Sequence, residues 1–422
     1  MAARLSEDSA RRVLLIEAGP DYPPHIKLPQ DLRNGKRNSY LEHDWGFTHT
    51  TNTQQKLDFK LPRGKVVGGS SAVNTCIALR GVPEDYNEWA DLGLTEWAWD
   101  KCLPAFKKLE ADQDINDEYH NQHGPLTIRR HPPEELVPWQ AAFLEACDEL
   151  GYPKCSDHNN PTTTGAGPHA MNKVDGVRIS AAMAYLTASV RSRPNLTIVP
   201  NTLARRVLFY NKQVIGLEVE KGNEVSTFFG EHVVIACGAI ASPGLLLRSG
   251  IGAQDDVYRL GVPFIVDLPG VGCRLLDHPG AAFFLAPRPG IVNRHDPVIQ
   301  TLLRYTSTPG GFPNDMQIQP GSCMTLPWLN LPVVSIMTCV EKTIGEGTMH
   351  WTSAWAGAKP IIKSNILDHP EDRRLAVEGL MRGYELTQTK AMRKLAVAIW
   401  PTPKALTNRS KLDEVIRLVS DS

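Results

Sequence analysis

The stretch from Arg63 to Trp89, RGKVVGGSSAVNTCIALRGVPEDYNEW, constrains the fold more than any other part of this 422-residue chain. Gly68, Gly69, Ser70, Ser71 and Ala72 carry almost no side-chain bulk, so the backbone here passes close against a flat or backbone-like neighbour. Where such a loop opens a helix, its amide N–H groups form a site for anionic or polar ligand atoms. A tight helix–helix contact would use the same residues without any ligand, and the run by itself does not separate the two.

Its surroundings do. The whole stretch resembles the first signature of the glucose-methanol-choline (GMC) family of FAD-dependent oxidoreductases, in which Gly-Gly-Ser-Ser-x-Val-Asn lies along the flavin. Gly238 to Gly252, GAIASPGLLLRSGIG, resembles the family's second signature, and Leu268 to Pro279, LPGVGCRLLDHP, resembles the segment after it. The resemblance runs from Ala2 to the C-terminus and is weakest between Pro289 and Lys363. It implies an α/β fold with a discontinuous, Rossmann-like FAD-binding domain, residues 1–104 and 190–282. A second, α+β substrate-binding domain is expected from residues 105–189 and 283–422.

The cofactor implied is FAD. Carried over position by position, the flavin-side wall is Arg63, Gly64, Val66, Gly68, Gly69, Ser70, Ser71, Asn74, Thr75, Cys76 and Ile77. Gly238, Asp277 and His278 complete it, and the backbone near Ala204 is expected at the adenine. Asp277-His278 therefore reads as part of the cofactor site and not as a catalytic base. Arg274 replaces the family's usual asparagine. Val73 stands where some relatives carry a histidine bonded to FAD, so attachment is expected to be non-covalent.

Val13-Leu14-Leu15-Ile16 reads as a buried parallel strand ending in Glu17. In a dinucleotide-binding βαβ unit an acid at that position bonds the ribose hydroxyls, about 20 residues after a G-x-G-x-x-G fingerprint. That fingerprint falls before Met1, and MAARLSED resembles the tail of the helix that follows it. The truncated form implied lacks the pyrophosphate loop. At the other end Lys411 to Ser422 resembles the helix before the family's catalytic histidine motif, so no residue is matched to a catalytic position. The expectation for the chain as written is weak FAD binding or none.

Composition agrees with a large enzyme acting on small molecules. Beyond roughly 250 to 300 residues a chain divides into domains. The 45 basic and 46 acidic residues nearly cancel, which gives no global field for nucleic acid or an anionic membrane. No apolar run reaches the roughly 18 residues of a spanning helix, and the N-terminus lacks a secretory apolar core. A cytoplasmic setting is expected, with the eight cysteines reduced. No Cys or His spacing typical of zinc occurs, so no metal is expected.

Elsewhere, Trp99 to Glu110, Trp139 to Leu150 and Asp368 to Thr387 read as helices, the last capped near Asp368. Leu196 to Val199, Arg206 to Phe209 and Val214 to Val219 read as strands broken by Asn211-Lys212 and Gly222-Asn223 turns. His232 to Gly238 reads as another buried strand leading into a helix at Ser242-Pro243. His350, Trp351 and Trp355 are either pocket-lining or structural. The function implied is hydride transfer from the CH–OH group of a small alcohol to flavin, as in an alcohol oxidase or dehydrogenase like choline dehydrogenase. The alternatives are a catalytically inactive remnant of such a protein, or a lyase-like relative using FAD structurally.

Overall fold

The computed structural model describes residues 1–39, 42–54, 58–325 and 332–402, with residues 412 and 416. Tyr40 and Leu41, and most of the helix expected over Lys411 to Ser422, lie outside the described residues.

The largest element is a six-stranded antiparallel sheet. Its order is Ala396–Trp400, Gly280–Pro287, Pro332–Val340, Met316–Thr325, Thr301–Tyr305 and Gly165–Pro168. Side chains alternate across a strand with period two, and here the two faces differ in kind. Phe283, Leu285, Leu303, Met316, Ile318, Val334 and Ile336 point to one side, where they form the main core. Two helices cover it, Pro138–Glu149 and Pro370–Gln388. The second helix approaches at glycines: a Cβ on Gly383 would lie 2.9 Å from Thr338 Cγ2. From the first, the buried Gln140 receives the N–H groups of Gln300 and Thr301 and donates to Pro320 O at 2.8 Å, so both amide ends are satisfied. Arg304, Gln317 and Cys339 take the opposite parity and point away from the helices.

The second body is built around a short parallel pair, Val13–Ile16 beside Leu196–Val199, followed by the meander Leu203–Tyr210, Gln213–Lys221 and Glu224–Phe229. Asn211 and Lys212 both have positive φ, as a two-residue hairpin requires, and Gly222 turns the next hairpin at φ 61°. Two expectations fail here. Val13–Ile16 is parallel but not buried, since Leu14 is 38% exposed. His232 to Ala236 is no strand: it has no ladder partner among the described residues, and Val234 is 54% exposed. An apolar run becomes a strand only when a neighbour accepts its hydrogen bonds. The helix after it starts at Gly238, not at Ser242-Pro243, and runs to Arg248.

Pro370–Gln388 is capped one residue beyond Asp368, at His369, whose Nδ1 accepts from Glu371 N at 3.2 Å. No helix among the described residues is long and apolar enough to cross a membrane, and all eight cysteines are unpaired.

A buried charge cluster that spacing did not reveal joins Arg80, Glu110, Asp112, His120, Arg130 and Asp157. Glu110 accepts from Arg80 at 2.7 Å, and Asp112 from Arg130 at 2.8 Å. His120 contacts Glu110, Asp112 and Asp157 at 3.1, 3.2 and 2.9 Å. Glu110, Asp112 and His120 could in principle hold a cation, but two arginines and a protonated histidine already balance the three acids. Burial alone would lower the His120 pKa; hydrogen bonds that its ring donates to Asp112, Asp157 and Glu110 outweigh it and raise it to about 11. Asp112 is likewise held at about 2, burial being outweighed by His120 and Arg130.

The linkage has a definite sign. His120 titrates near 6.5 when unfolded, so its contribution is complete below that pH and is lost as pH rises toward 11. The Asp112 contribution is present above about pH 4 and is lost as pH falls through 2. His120→Gln leaves buried carboxylates uncompensated and should cost about 3–5 kcal/mol. Urea unfolding at pH 6 and pH 9 checks this: the variant should be the weaker of the two at pH 6, and the wild type should lose more stability than the variant on going to pH 9.

Candidate active site

The glycine-rich loop is one turn of 3₁₀ helix, Gly69–Ala72, entered through Gly68 at φ 110°. It folds back on Gly64, whose N–H donates to Ser70 Oγ at 3.1 Å. A Cβ on Gly64 would lie 2.4 Å from Gly69 O, so only glycine permits this approach. Ser71 Oγ donates to Gly68 O at 2.6 Å and accepts from Ala181 N at 2.9 Å, joining the loop to the helix at residue 181. Asn74 Oδ1 accepts from Cys76 N at 3.0 Å, which supports the positive φ of Cys76. Val66 and Cys76 are buried, so their side chains form the back of this wall and not its face. Thr75 and Ile77 are half-buried, and Ile77 pairs with Met171.

Behind the loop sits Arg178, fully buried and without a carboxylate partner. Its guanidinium donates to Asn74 O at 2.9 Å, Ala72 O at 2.8 Å, Leu32 O at 2.7 Å, Asp31 O at 2.9 Å and Arg37 O at 2.6 Å. Nε donates to Asn74, the two Nη1 hydrogens are shared among the carbonyls of Asp31, Leu32 and Ala72, and Nη2 donates to Arg37. The sequence signal for it was only its place at the head of RISAAMAYL.

Glu17 follows the strand Val13–Ile16 directly. Its Oε1 accepts from Gly19 N at 2.8 Å, and a Cβ on Gly19 would lie 2.0 Å from Lys65 O, so this strand end abuts the loop. Burial pushes the Glu17 carboxyl up, against the N–H groups of Gly19 and Ala18 and the charge of Lys65. Cys237 lies beside it, its thiol raised by desolvation and further by the Glu17 charge. Gly69 and Gly238 share one property: each has positive φ, and nothing lies within 4 Å of where a Cβ would be. Both open on empty space. Ala204 sits at a bulge opposite Val219, two residues beyond Thr202, whose N–H donates to Glu17 O at 2.9 Å.

Asp277 and His278 close the other side. Arg63 lies 3.9 Å from Asp277, and Asp277 lies 3.0 Å from His278 Nδ1. The hydrogen bond to Asp277 raises the His278 pKa to about 9, with Glu341 adding to the rise, while the side chain stays 53% exposed. His278 is therefore cationic at neutral pH and brings positive charge to the cleft, not a proton acceptor. Glu341 was missed by sequence reading and is placed here by backbone pairing: Val340 N donates to Pro279 O at 3.1 Å. His350, Trp351 and Trp355 separate, with Trp351 buried against Gly244 and Trp355 60% exposed.

Arg178→Lys keeps the charge but offers three donors at one point, so it leaves at least two buried carbonyls unpaired. At about 1–3 kcal/mol each, the loss should be about 3 kcal/mol or more in denaturant unfolding. A variant as stable as the wild type would show that the loop does not depend on this side chain.

Residues 39–280, more than half the chain, match the family model described as GMC oxidoreductase. An uncharacterised GMC-type oxidoreductase of Rhodococcus erythropolis is 29% identical over 93% of this chain and 78% of its own length. Mitochondrial choline dehydrogenase of Homo sapiens is 38% identical over 66% of this chain, and the match covers 48% of that enzyme. The chain thus spans about half the length of that dehydrogenase. The crystal structure of pyridoxine 4-oxidase from Mesorbium loti superposes with a TM-score of 0.91 at 28% identity, covering 99% of this chain and 84% of that one. The loop geometry, the α/β fold and these similarities agree: the chain belongs to the GMC oxidoreductase family.

Proposed function

We propose that the cleft binds FAD non-covalently and that the protein oxidises the CH–OH group of a small alcohol. The observation that carries this reading is the convergence of four segments distant in sequence. Gly19, beside the strand end at Glu17, packs on Lys65 of the loop, Arg63 lies 3.9 Å from Asp277, and Cys237 at the helix start feels the Glu17 charge, which supports grouping these segments around one site. The donor set fits a flavin dinucleotide: bare backbone at Gly69 and Gly238, a strand-end acid for ribose hydroxyls, and cations at Arg63 and His278. Residue 73 is a buried valine with no nucleophile to offer, which supports non-covalent binding.

Flavin, when bound, supplies a two-electron acceptor for the hydride of the carbinol carbon. The residues named here hold and orient it; none of them is positioned as the base for the hydroxyl proton. The relatives' own names, choline dehydrogenase, pyridoxine 4-oxidase and 5-(hydroxymethyl)furfural oxidase, support an alcohol substrate. Residues 1–104 and 190–282 are taken as the flavin-side domain, with 105–189 and 283–422 as the substrate side. Eight unpaired cysteines support a cytoplasmic setting.

FAD titrated into the protein, followed by flavin fluorescence, tests the assignment. Glu17→Ala should weaken FAD binding about ten-fold, the loss of one or two charge-assisted hydrogen bonds. The rate of flavin bleaching by alcohol at saturating FAD should not change, because a ribose contact acts on ground and transition states alike. Weak binding is expected of the wild type; equal affinity in the two proteins would remove Glu17 from the site, and no saturable binding even at the highest FAD concentration would remove the flavin.

A further inference from the structure

The helix-free face of the antiparallel sheet carries a row of polar side chains. Arg304 and Gln317 are direct register partners, both only 8% exposed. Glu341 continues the row, its N–H donating to Asp315 O at 2.8 Å. Opposite them, Leu79 to Val82 follow the flavin-side loop, and between the two walls is a cavity of about 250 Å³.

Several of its polar groups are already engaged. Arg80 is paired with Glu110, Lys342 with Asp85 and Glu88, and Asp315 with Ser307. Four others keep free hydrogen-bonding capacity among the described residues. Asn314 Oδ1 is buried and has no hydrogen-bond partner. The Gln317 amide and the Glu341 carboxylate make no hydrogen bond among the described residues, although the charges of His278 and Arg304 act on Glu341, and the Arg304 guanidinium uses only Nη1, on His158 O at 2.7 Å. The unpaired set thus contains a donor-only group, two acceptors and an amide that does both.

Hydroxyl groups match such a mixture, since each donates once and accepts twice. A quaternary ammonium does neither and needs an aromatic face. Phe312 is the aromatic in this wall, and Lys342 Nζ already sits 4.2 Å over its ring. An aryl alcohol would leave the buried polar groups dry. We infer that this cavity is a specificity pocket for a neutral, hydroxyl-rich alcohol, a small polyol, in which Gln317, Arg304, Asn314 and Glu341 bind hydroxyls remote from the reacting carbon. The inference rests on the alcohol-oxidising reading and gives it a substrate class.

Saturation-transfer difference NMR on the folded protein, with erythritol, choline and benzyl alcohol as probes, tests it with and without added FAD. Erythritol should show saturable transfer; choline and benzyl alcohol should bind at least ten-fold more weakly. Gln317→Leu should weaken erythritol about ten-fold, and Glu341→Gln, at the open rim and safe for folding, a few-fold. Tighter binding of choline or benzyl alcohol than of erythritol, or erythritol affinity unchanged in both variants, overturns the pocket. Erythritol binding that is sensitive to both variants but accompanied by no FAD binding upholds the pocket while removing the flavin reading. FAD binding with no erythritol signal does the reverse.

Discussion

The candidate site depends on one buried guanidinium. Arg178 brings a full charge into the interior and is compensated there by five backbone carbonyls, with the Asp31 charge acting on it but no ion pair among the described residues. Two of these carbonyls, Ala72 and Asn74, belong to the glycine-rich loop, so the loop cannot shift toward or away from the cleft without orphaning a buried acceptor. An unmet hydrogen bond in a low-dielectric interior is costly, and that cost makes a segment of small, flexible residues hold one shape. The contacts at Gly19 and Gly64 then need no further support, because both rest against backbone that Arg178 has already placed.

The second organising feature is the division of the antiparallel sheet into two chemically different faces. Period-two alternation sends Phe283, Met316, Ile318 and Ile336 into the helix-covered core, and the same alternation sends Arg304, Gln317 and Glu341 to the cleft. Burial of the first set offsets the cost of leaving buried polar groups of the second incompletely paired. The charge cluster around His120 performs a related task at one remove: through Arg80 it anchors the segment that forms the opposite wall of the cavity.

Local chemistry was readable wherever neighbours in sequence decide the outcome. The Asn211-Lys212 hairpin follows from residues that tolerate positive φ at the turn, and Pro370 opens its helix at the first position. Reading failed where a distant partner decides. His232 to Ala236 has the composition of a strand, but no edge pairs with it. The cap read near Asp368 falls one residue further on, at His369, whose ring nitrogen reaches the first free N–H. Val13–Ile16 was correctly extended and parallel, but composition could not say that Leu14 would remain exposed.

The sequence by itself determined the family, the α/β class, and the presence of a loop bare enough for a backbone to approach a flat ligand. These follow from residue types at fixed short spacings, because steric bulk and φ preference are properties of a residue and its immediate neighbours. Only the tertiary structure decided that Arg178 would bind the loop, that Glu110, Asp112, His120 and Asp157 would share one buried cluster, and that Gln317, Arg304 and Glu341 would face one cavity. Each of those depends on strand register and on contacts between residues tens of positions apart. No local preference encodes them, since their energies exist only once the chain has closed.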